Sequence, residues 1–231
     1  MEASASGDAW TLSGSKMYVL DGHIADLVLV AARTTNGVSL FHVAGDADGL
    51  TRTALATMDM TRKQARLDFD GVSATLIGAE GAGWPVLERV LDLAAVALAA
   101  EQVGGAQICL DTAVQYAKDR VQFGRPIGSF QAISHYLADG ITAIDGARVL
   151  VHRAAWTRDE GRDVASLAPM AKLFATQTCR DVTGVAIQVH GGMGFTVECD
   201  AQLYFRRAKS WQLNWFDTDH LEDLIAAAVL D

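Results

Sequence analysis

Between residues 10 and 80 the apolar positions fall into short runs, at 10–12, 16–20, 27–32, 38–43 and 65–69. Turn formers bound them: Gly14, Asp21-Gly22, Asn36-Gly37 and Asp70-Gly71. Runs of this length, rich in β-branched and aromatic residues and cut by Gly, Asn and Asp, predict strands. No helix-length periodic segment separates them, so the sheet is expected to be largely antiparallel rather than assembled from strand-helix-strand units. From Trp84 the period changes. Leu87, Val90, Leu91, Ala94, Ala95 and Leu98 recur at helical spacing, and the pattern runs on through Val103, Ile108 and Tyr116. That predicts one long helix. Gly124, Arg125 and Pro126 break it, and further helices are predicted over 130–160, 165–190, 201–211 and 220–230. Long Ala-rich helices joined by short breaks predict an antiparallel bundle. The expected fold is therefore α+β, a β domain over 1–82 followed by a helical bundle over 83–231, with the boundary at Gly81-Ala82-Gly83.

Composition narrows the function classes. The 231 residues are 50% hydrophobic and 20% charged, enough to bury a sizeable core. A net charge of -9, with 19 Lys and Arg scattered along the chain, repels nucleic-acid phosphates and anionic membrane surfaces alike. The longest apolar run, 91–100, is interrupted by Glu101 well short of the ~20 residues of a bilayer span, so no span is expected. Residues 1–10 lack the basic and apolar regions of a secretion signal, which predicts a cytoplasmic protein. Cys109, Cys179 and Cys199 are three in number, far apart and without CxxC spacing, so reduced thiols are expected and no metal site.

Three motifs carry chemistry, and they occur in a consistent order. The first is Trp10-Thr-Leu-Ser-Gly-Ser-Lys16-Met-Tyr18-Val-Leu20-Asp-Gly22. The second is Tyr116-Ala-Lys-Asp-Arg120-Val-Gln122-Phe123-Gly124-Arg-Pro-Ile-Gly-Ser-Phe-Gln131. The third is Gln188-Val-His-Gly191-Gly192-Met-Gly194-Phe195. Together they resemble the acyl-CoA dehydrogenase family, across its middle β-domain and its C-terminal helical domain. The resemblance extends to the heteromeric actinobacterial type that handles bulky acyl-CoA thioesters such as steroid side chains. It implies FAD as cofactor. Tyr18 is the aromatic residue set against the flavin ring, while Leu20 replaces the flavin-facing hydroxyl residue. Arg120, Gln122 and Phe123 reach a flavin bound mainly by a neighbouring subunit, and a guanidinium suits phosphate because it offers several fixed donors. Gln188, Gly191 and Gly192 form the turn near the adenosine end, where glycine permits close backbone approach. The family also has an earlier helical domain and further middle-domain strands.

In this family a carboxylate removes the α-proton of an acyl-CoA while hydride leaves the β-carbon for flavin. The resemblance gives two positions for it. Alignment of Arg206-Arg207-Ala208-Lys209 with the family pattern places Trp215, Phe216 and Asp217 at one. Counting back from Phe123 places Ala94 at the other, with Ala95 where the family often has a substrate-binding arginine. Neither holds a carboxylate at the base position. The nearby acids Asp92 and Asp217 are the candidate bases, each weighed against a solvated or capping role. His190 and His220 are read as ordinary imidazoles, and Trp211, Leu213, Trp215 and Phe216 as packing or as a substrate lining. Two functions follow. One is an acyl-CoA dehydrogenase subunit catalysing FAD-dependent α,β-desaturation of an acyl-CoA. The other is a non-catalytic partner that completes another chain's FAD site. Either implies an oligomer, homomeric or with a second acyl-CoA dehydrogenase chain, and an electron-transfer acceptor. The apolar surface of the long helix exceeds what one bundle face can cover, which points the same way.

Overall fold

The computed structural model describes residues 1–7 and 9–230. It is α+β, with strands first and helices after, as the periodicities predict. The chain divides into two compact units, Met1–Val90 and Leu91–Asp231, while the first long helix already starts at Gly83.

In the first unit six strands are formed: β1 Glu2–Ser6, β2 Ala9–Leu20, β3 Leu27–Thr34, β4 Gly37–Ala44, β5 Leu50–Leu55 and β6 Gln64–Ile77. The pairings β2-β1-β3-β4-β6, closed by β6 on β2, make a ring, and β5 lies on β6. All are antiparallel except one parallel bridge between β1 and β3, Glu2 opposite Arg33. β1 and β5 were not expected. β1 is short and largely Ala and Ser, and β5 is exposed except at its half-buried ends Leu50 and Leu55, so neither carries an apolar run.

The runs at 10–12 and 16–20 are one strand. Two register shifts interrupt its pairing with β6, between Leu12 and Gly14 and between Lys16 and Val19. The first answers a slip on β6, where Leu67 and Phe69 are buried in one phase and Val72 and Ala74 in the next, across Gly71 at φ 62°. The second leaves Met17 and Tyr18 bulged. Leu12, Phe41, Leu67 and Val72 are fully buried inside the ring, each removing apolar area that stabilises by about 1.5–3 kcal/mol.

The second unit is built on the helices α1 Gly83–Asp119, α2 Gln131–Asp159, α3 Leu167–His190, α4 Ala201–Leu213 and α5 Thr218–Leu230. α1 turns into α2 through a minimal hairpin, β7 Val121–Gln122 and β8 Arg125–Pro126. α3 packs against α2, α4 and α5. Ala106, Leu110, Ala113, Ile144, Ala175, Cys179 and Ala186 form the shared core. Small residues set the spacing: a Cβ on Gly140 would meet Leu110 at 3.2 Å, and one on Gly105 would meet the Trp211 ring at 2.9 Å. By length and composition α1 is apolar enough to cross a bilayer, which the interruption at Glu101 had argued against. Its apolar stripe instead supplies much of the bundle core, with Ala99, Ala106 and Ala113 fully buried. The three cysteines are free; burial foremost pushes Cys109 and Cys179 up to about 12, which keeps both thiols protonated and inert.

Candidate functional site

The second motif begins on the last turn of α1. Arg120 closes it, its N–H bonded to the Tyr116 carbonyl at 2.9 Å and its own carbonyl accepting from Ile127 N–H at 2.9 Å. Between these anchors, Val121 and Gln122 pair with Pro126 and Arg125 across the two-residue turn Phe123-Gly124. Both turn residues have positive φ, 54° and 79°, the tight hairpin turn whose twist matches its strands. A left-handed phenylalanine is uncommon and costs about 1–2 kcal/mol. Its consequence is exposure: the Phe123 ring is 92% accessible at the hairpin tip. It meets Phe130 edge-on at 6.1 Å, and the Arg125 guanidinium lies 4.0 Å over that same ring. The Arg120 guanidinium is exposed and has no side-chain partner among the described residues. A cavity of about 350 Å³ lies behind the hairpin, lined by Val114, Ala117, Pro126, Ser129, Ser134 and Leu137.

The third motif ends α3. Gly191, at φ 60°, reverses the chain, and Gly191–Met193 forms a single tight turn. Gly191 and Gly192 are exposed with open space where a Cβ would sit. Gly194 differs, since a Cβ there would meet the Ile187 carbonyl oxygen at 2.5 Å. Gln188 is exposed on the final turn. The imidazole of His190 is buried, its Nδ1–H donating to the Ala186 carbonyl at 2.7 Å, and it stacks on Tyr116 at 4.5 Å. That stack joins the second motif to the third, a role the sequence reading of an ordinary histidine missed. The clue was available, because both residues stand inside the two motifs.

In the first unit, Tyr18 sits in the second β-bulge at φ 58° and is 64% exposed. Bulges re-aim a side chain, and this one turns the aromatic ring outward while Leu20 returns to half-buried strand.

The two positions that the resemblance gives for the base hold no carboxylate. Ala95 is buried and Ala94 half-buried on α1. Asp92 is half-buried and already engaged by a partner. After α4 the chain turns through Trp215 at φ 57° and Phe216 at φ 88°, two non-glycine residues in the left-handed region. Asp217 then caps α5, its Oδ1 accepting from His220 N–H at 3.0 Å, and Phe216 packs on His220 at 4.6 Å. Two further groups brace this region. Lys172 on α3 is fully buried; its Nζ donates to the Trp211 carbonyl at 2.9 Å and to Thr176 Oγ1 at 3.2 Å, and Thr176 bonds Gln102 of α1. Burial pushes this lysine down to about 8. Arg207 pairs with Glu101 at 3.1 Å and lies 5.5 Å over Trp211. Spacing could have found Lys172, which falls in the buried stripe of Ala168, Ala171, Ala175 and Cys179.

A mixed β unit, a helical bundle and these three motifs define the class. The family model described as the C-terminal domain of acyl-CoA dehydrogenase matches residues 81–215. The chain belongs to the acyl-CoA dehydrogenase family. It is 41% identical over 191 residues to acyl-CoA dehydrogenase IpdE2 of Mycolicibacterium smegmatis, covering 83% of this chain and 54% of that protein. It is 33% identical to the mitochondrial short-chain specific acyl-CoA dehydrogenase of Bos taurus, over 99% of this chain and 58% of the relative. The structure of butyryl-CoA dehydrogenase from Megasphaera elsdenii superposes with a TM-score of 0.94 at 32% identity, over 99% of this chain and 63% of that one. The chain thus spans little more than half the length of these relatives. Members of the family are FAD-dependent flavoproteins.

The surface around motifs two and three fits such a group. It offers an unpaired guanidinium for phosphate, exposed rings for stacking, and glycines with room for close approach.

Proposed function

We propose that this chain is a subunit of an FAD-dependent acyl-CoA dehydrogenase, acting in the cytoplasm on an acyl-CoA thioester, with a bulky or steroid-derived acyl group as the preferred class. The observation that carries the reading is the pairing of the unpartnered Arg120 with the outward Phe123 on one strained hairpin, tied through Tyr116 and His190 to the Gly191-Gly192 turn. In this role Arg120 holds a pyrophosphate, Gln122 and Phe123 contact the adenosine side, and Gln188, Gly191 and Gly192 border it. Tyr18 faces the flavin ring. When bound, FAD supplies the hydride acceptor for α,β-desaturation, and the electrons leave to a separate electron-transfer acceptor.

A second reading is favoured by the turn after α4. Trp215 stands at one base position, Ala94 at the other, and Asp217 is spent on a helix cap. On that reading the chain is a silent partner that completes the FAD site of another acyl-CoA dehydrogenase chain. Purification with the genomic neighbour, followed by a mass measurement and a flavin-to-chain ratio, separates the two. Desaturation by this chain alone supports the enzyme; desaturation only in the mixture supports the partner.

Arg120→Ala tests the flavin assignment against Arg153→Ala, an exposed arginine on α2 outside the motif. Loss of a charge-assisted phosphate contact weakens flavin retention by about 1.5–3 kcal/mol. Equal flavin occupancy in the two variants at matched stability rejects the assignment.

A further inference from the structure

An α-helix bonds each carbonyl to the amide four residues on, and at the end of α4 the Asn214 N–H still reaches the Ser210 carbonyl at 3.0 Å. Asn214 itself is extended, φ -80° and ψ 137°, which carries the chain away before the Trp215 amide can meet the next carbonyl, that of Trp211. The Trp211 carbonyl accepts from Lys172 Nζ instead, at 2.9 Å. The Trp215 N–H has no backbone partner among the described residues. A side chain of α3 thus stands where the next amide of α4 would stand in a longer helix.

Both ends of this bond are held. The Trp211 ring is buried against Gly105 of α1, where an added Cβ would meet it at 2.9 Å, and the Arg207 guanidinium lies 5.5 Å over it. Lys172 is fully buried, and its Nζ also donates to Thr176 Oγ1 at 3.2 Å. Thr176 Oγ1 in turn donates to Gln102 Oε1 of α1 at 3.2 Å. No carboxylate pairs with the ammonium among the described residues. A buried cation without a counter-charge is costly, and this one is compensated by the negative end of the α4 dipole and by a carbonyl that the helix leaves over.

The segment after α4 is strained. Trp215 at φ 57° and Phe216 at φ 88° occupy a region that is unfavourable for any residue with a Cβ. One more helical turn through residues 214–217 would relieve both and would satisfy the Trp211 carbonyl without Lys172. It would also swing the exposed Trp215 ring to a new face and take Asp217 away from the His220 amide that it caps. The longer helix and the strained turn therefore compete for one acceptor, and Lys172 holds that acceptor for the turn.

We propose that Lys172 is a positioning residue: by occupying the Trp211 carbonyl it excludes the longer helix and presents the Trp215 ring as the wall that sets which acyl groups fit. Lys172 itself touches no substrate. The second half of the proposal rests on the reading in which Trp215 stands at a base position and so borders the acyl-CoA.

Amide hydrogen exchange on the intact chain tests the first half. In Lys172→Met the Trp215 amide gains the Trp211 carbonyl, so it should exchange about tenfold or more slowly than in the unsubstituted chain. A packing role alone predicts the reverse, faster exchange at residues 213–215 as the end of α4 frays. Unchanged or faster exchange at Trp215 overturns the proposal. Glycine accepts the left-handed region and disfavours a helix, so adding Phe216→Gly to Lys172→Met should restore fast exchange at Trp215. Should Lys172→Met alone fail to fold, the double variant decides: a folded chain with an unprotected Trp215 amide supports the proposal, and a second failure to fold overturns it.

The second half is read in the native, flavin-loaded complex. The ratio of kcat/KM for cyclohexanecarbonyl-CoA to that for butyryl-CoA should change several-fold in Lys172→Met, whereas lost stability lowers both alike. Slowed exchange with an unchanged ratio overturns the assignment of Trp215 as the acyl wall. An unsubstituted complex that desaturates neither acyl-CoA fails the functional reading, and exchange at Trp215 then decides the role of Lys172 by itself.

Discussion

The ring of Tyr116 lies against the imidazole of His190 with centroids 4.5 Å apart and planes 29° apart, which fastens the end of α1 to the end of α3. Each residue stands four positions or fewer from a proposed flavin contact: Arg120 follows Tyr116 by one helical turn, and Gly191 follows His190 directly. A stacked pair of this kind contributes about 0.5–1.5 kcal/mol beyond its buried area. His190→Ala should therefore loosen the Gly191-Gly192 turn. Faster amide exchange at residues 191–194 with α2 unchanged is the expected outcome, accompanied by weaker flavin retention. Unaltered exchange in that turn would show that the stack positions nothing.

Phe123 offers a separation of stability from function. Its left-handed backbone is costly for a phenylalanine, yet its ring is almost wholly exposed and meets the Phe130 ring edge-on. Asn-Gly is the favoured pair for a two-residue turn with both φ positive. Phe123→Asn should leave the unfolding midpoint unchanged or raise it, since relief of about 1 kcal/mol of strain offsets the lost ring contact. Flavin retention should nevertheless fall several-fold, measured as bound flavin per chain. A drop in midpoint with flavin retained would reverse the assignment of this residue from binding to packing.

The sequence made the five helices and four of the six long strands legible because each carries its own apolar period. β1 and β5 escaped notice because their stability comes from neighbours: Ala3 is buried only once β2 and β3 flank it, and β5 borrows its pairing from β6. The bulge at Tyr18 was equally hidden, since the mismatch between Lys16-Leu67 and Val19-Ala65 exists only in the pairing of two strands. In the candidate site, Arg120, Phe123 and the glycines stood out as a local motif. The groups that brace the end of α4 did not. Lys172 and the Trp211 carbonyl are 39 residues apart, and Gln102 and Thr176 are 74, so only the folded bundle brings them together.

Lys172 makes a prediction about pH. Its ammonium is fully buried with carbonyl and hydroxyl acceptors, and burial lowers its pKa from 10.5 to about 8. Between pH 8 and 10.5 the unfolded chain holds a proton that the folded chain has released, so folded stability rises with pH through that window. Burial is penalised in full below pH 8 and not at all above 10.5. Relative to Lys172→Met, which cannot titrate, the unsubstituted chain should gain up to about 3 kcal/mol between pH 7.5 and 10.5. Denaturant midpoints of the two proteins across this range measure it. Parallel curves would mean that the ammonium keeps an ordinary pKa.

Asp217 and Asp92 decide whether this chain carries its own base. Asp217 already has a structural task, accepting the His220 N–H that opens α5, and asparagine caps a helix as well as aspartate does. Asp217→Asn therefore removes the charge and keeps the cap, whereas Asp217→Ala should cost about 1 kcal/mol of stability through the exposed helix end. Asp92→Asn likewise removes charge at nearly constant shape. If the base belongs to a partner chain, both asparagine variants should sustain desaturation by the native complex within a few-fold of the unsubstituted protein. A fall of roughly a thousandfold in turnover, about 4 kcal/mol in activation free energy, with flavin still bound and α5 intact by hydrogen exchange, would identify that aspartate as the proton acceptor. For Asp217 such a result would require the left-handed turn at Trp215 and Phe216 to reorganise when substrate binds, because in the present geometry its Oδ1 is committed to the helix.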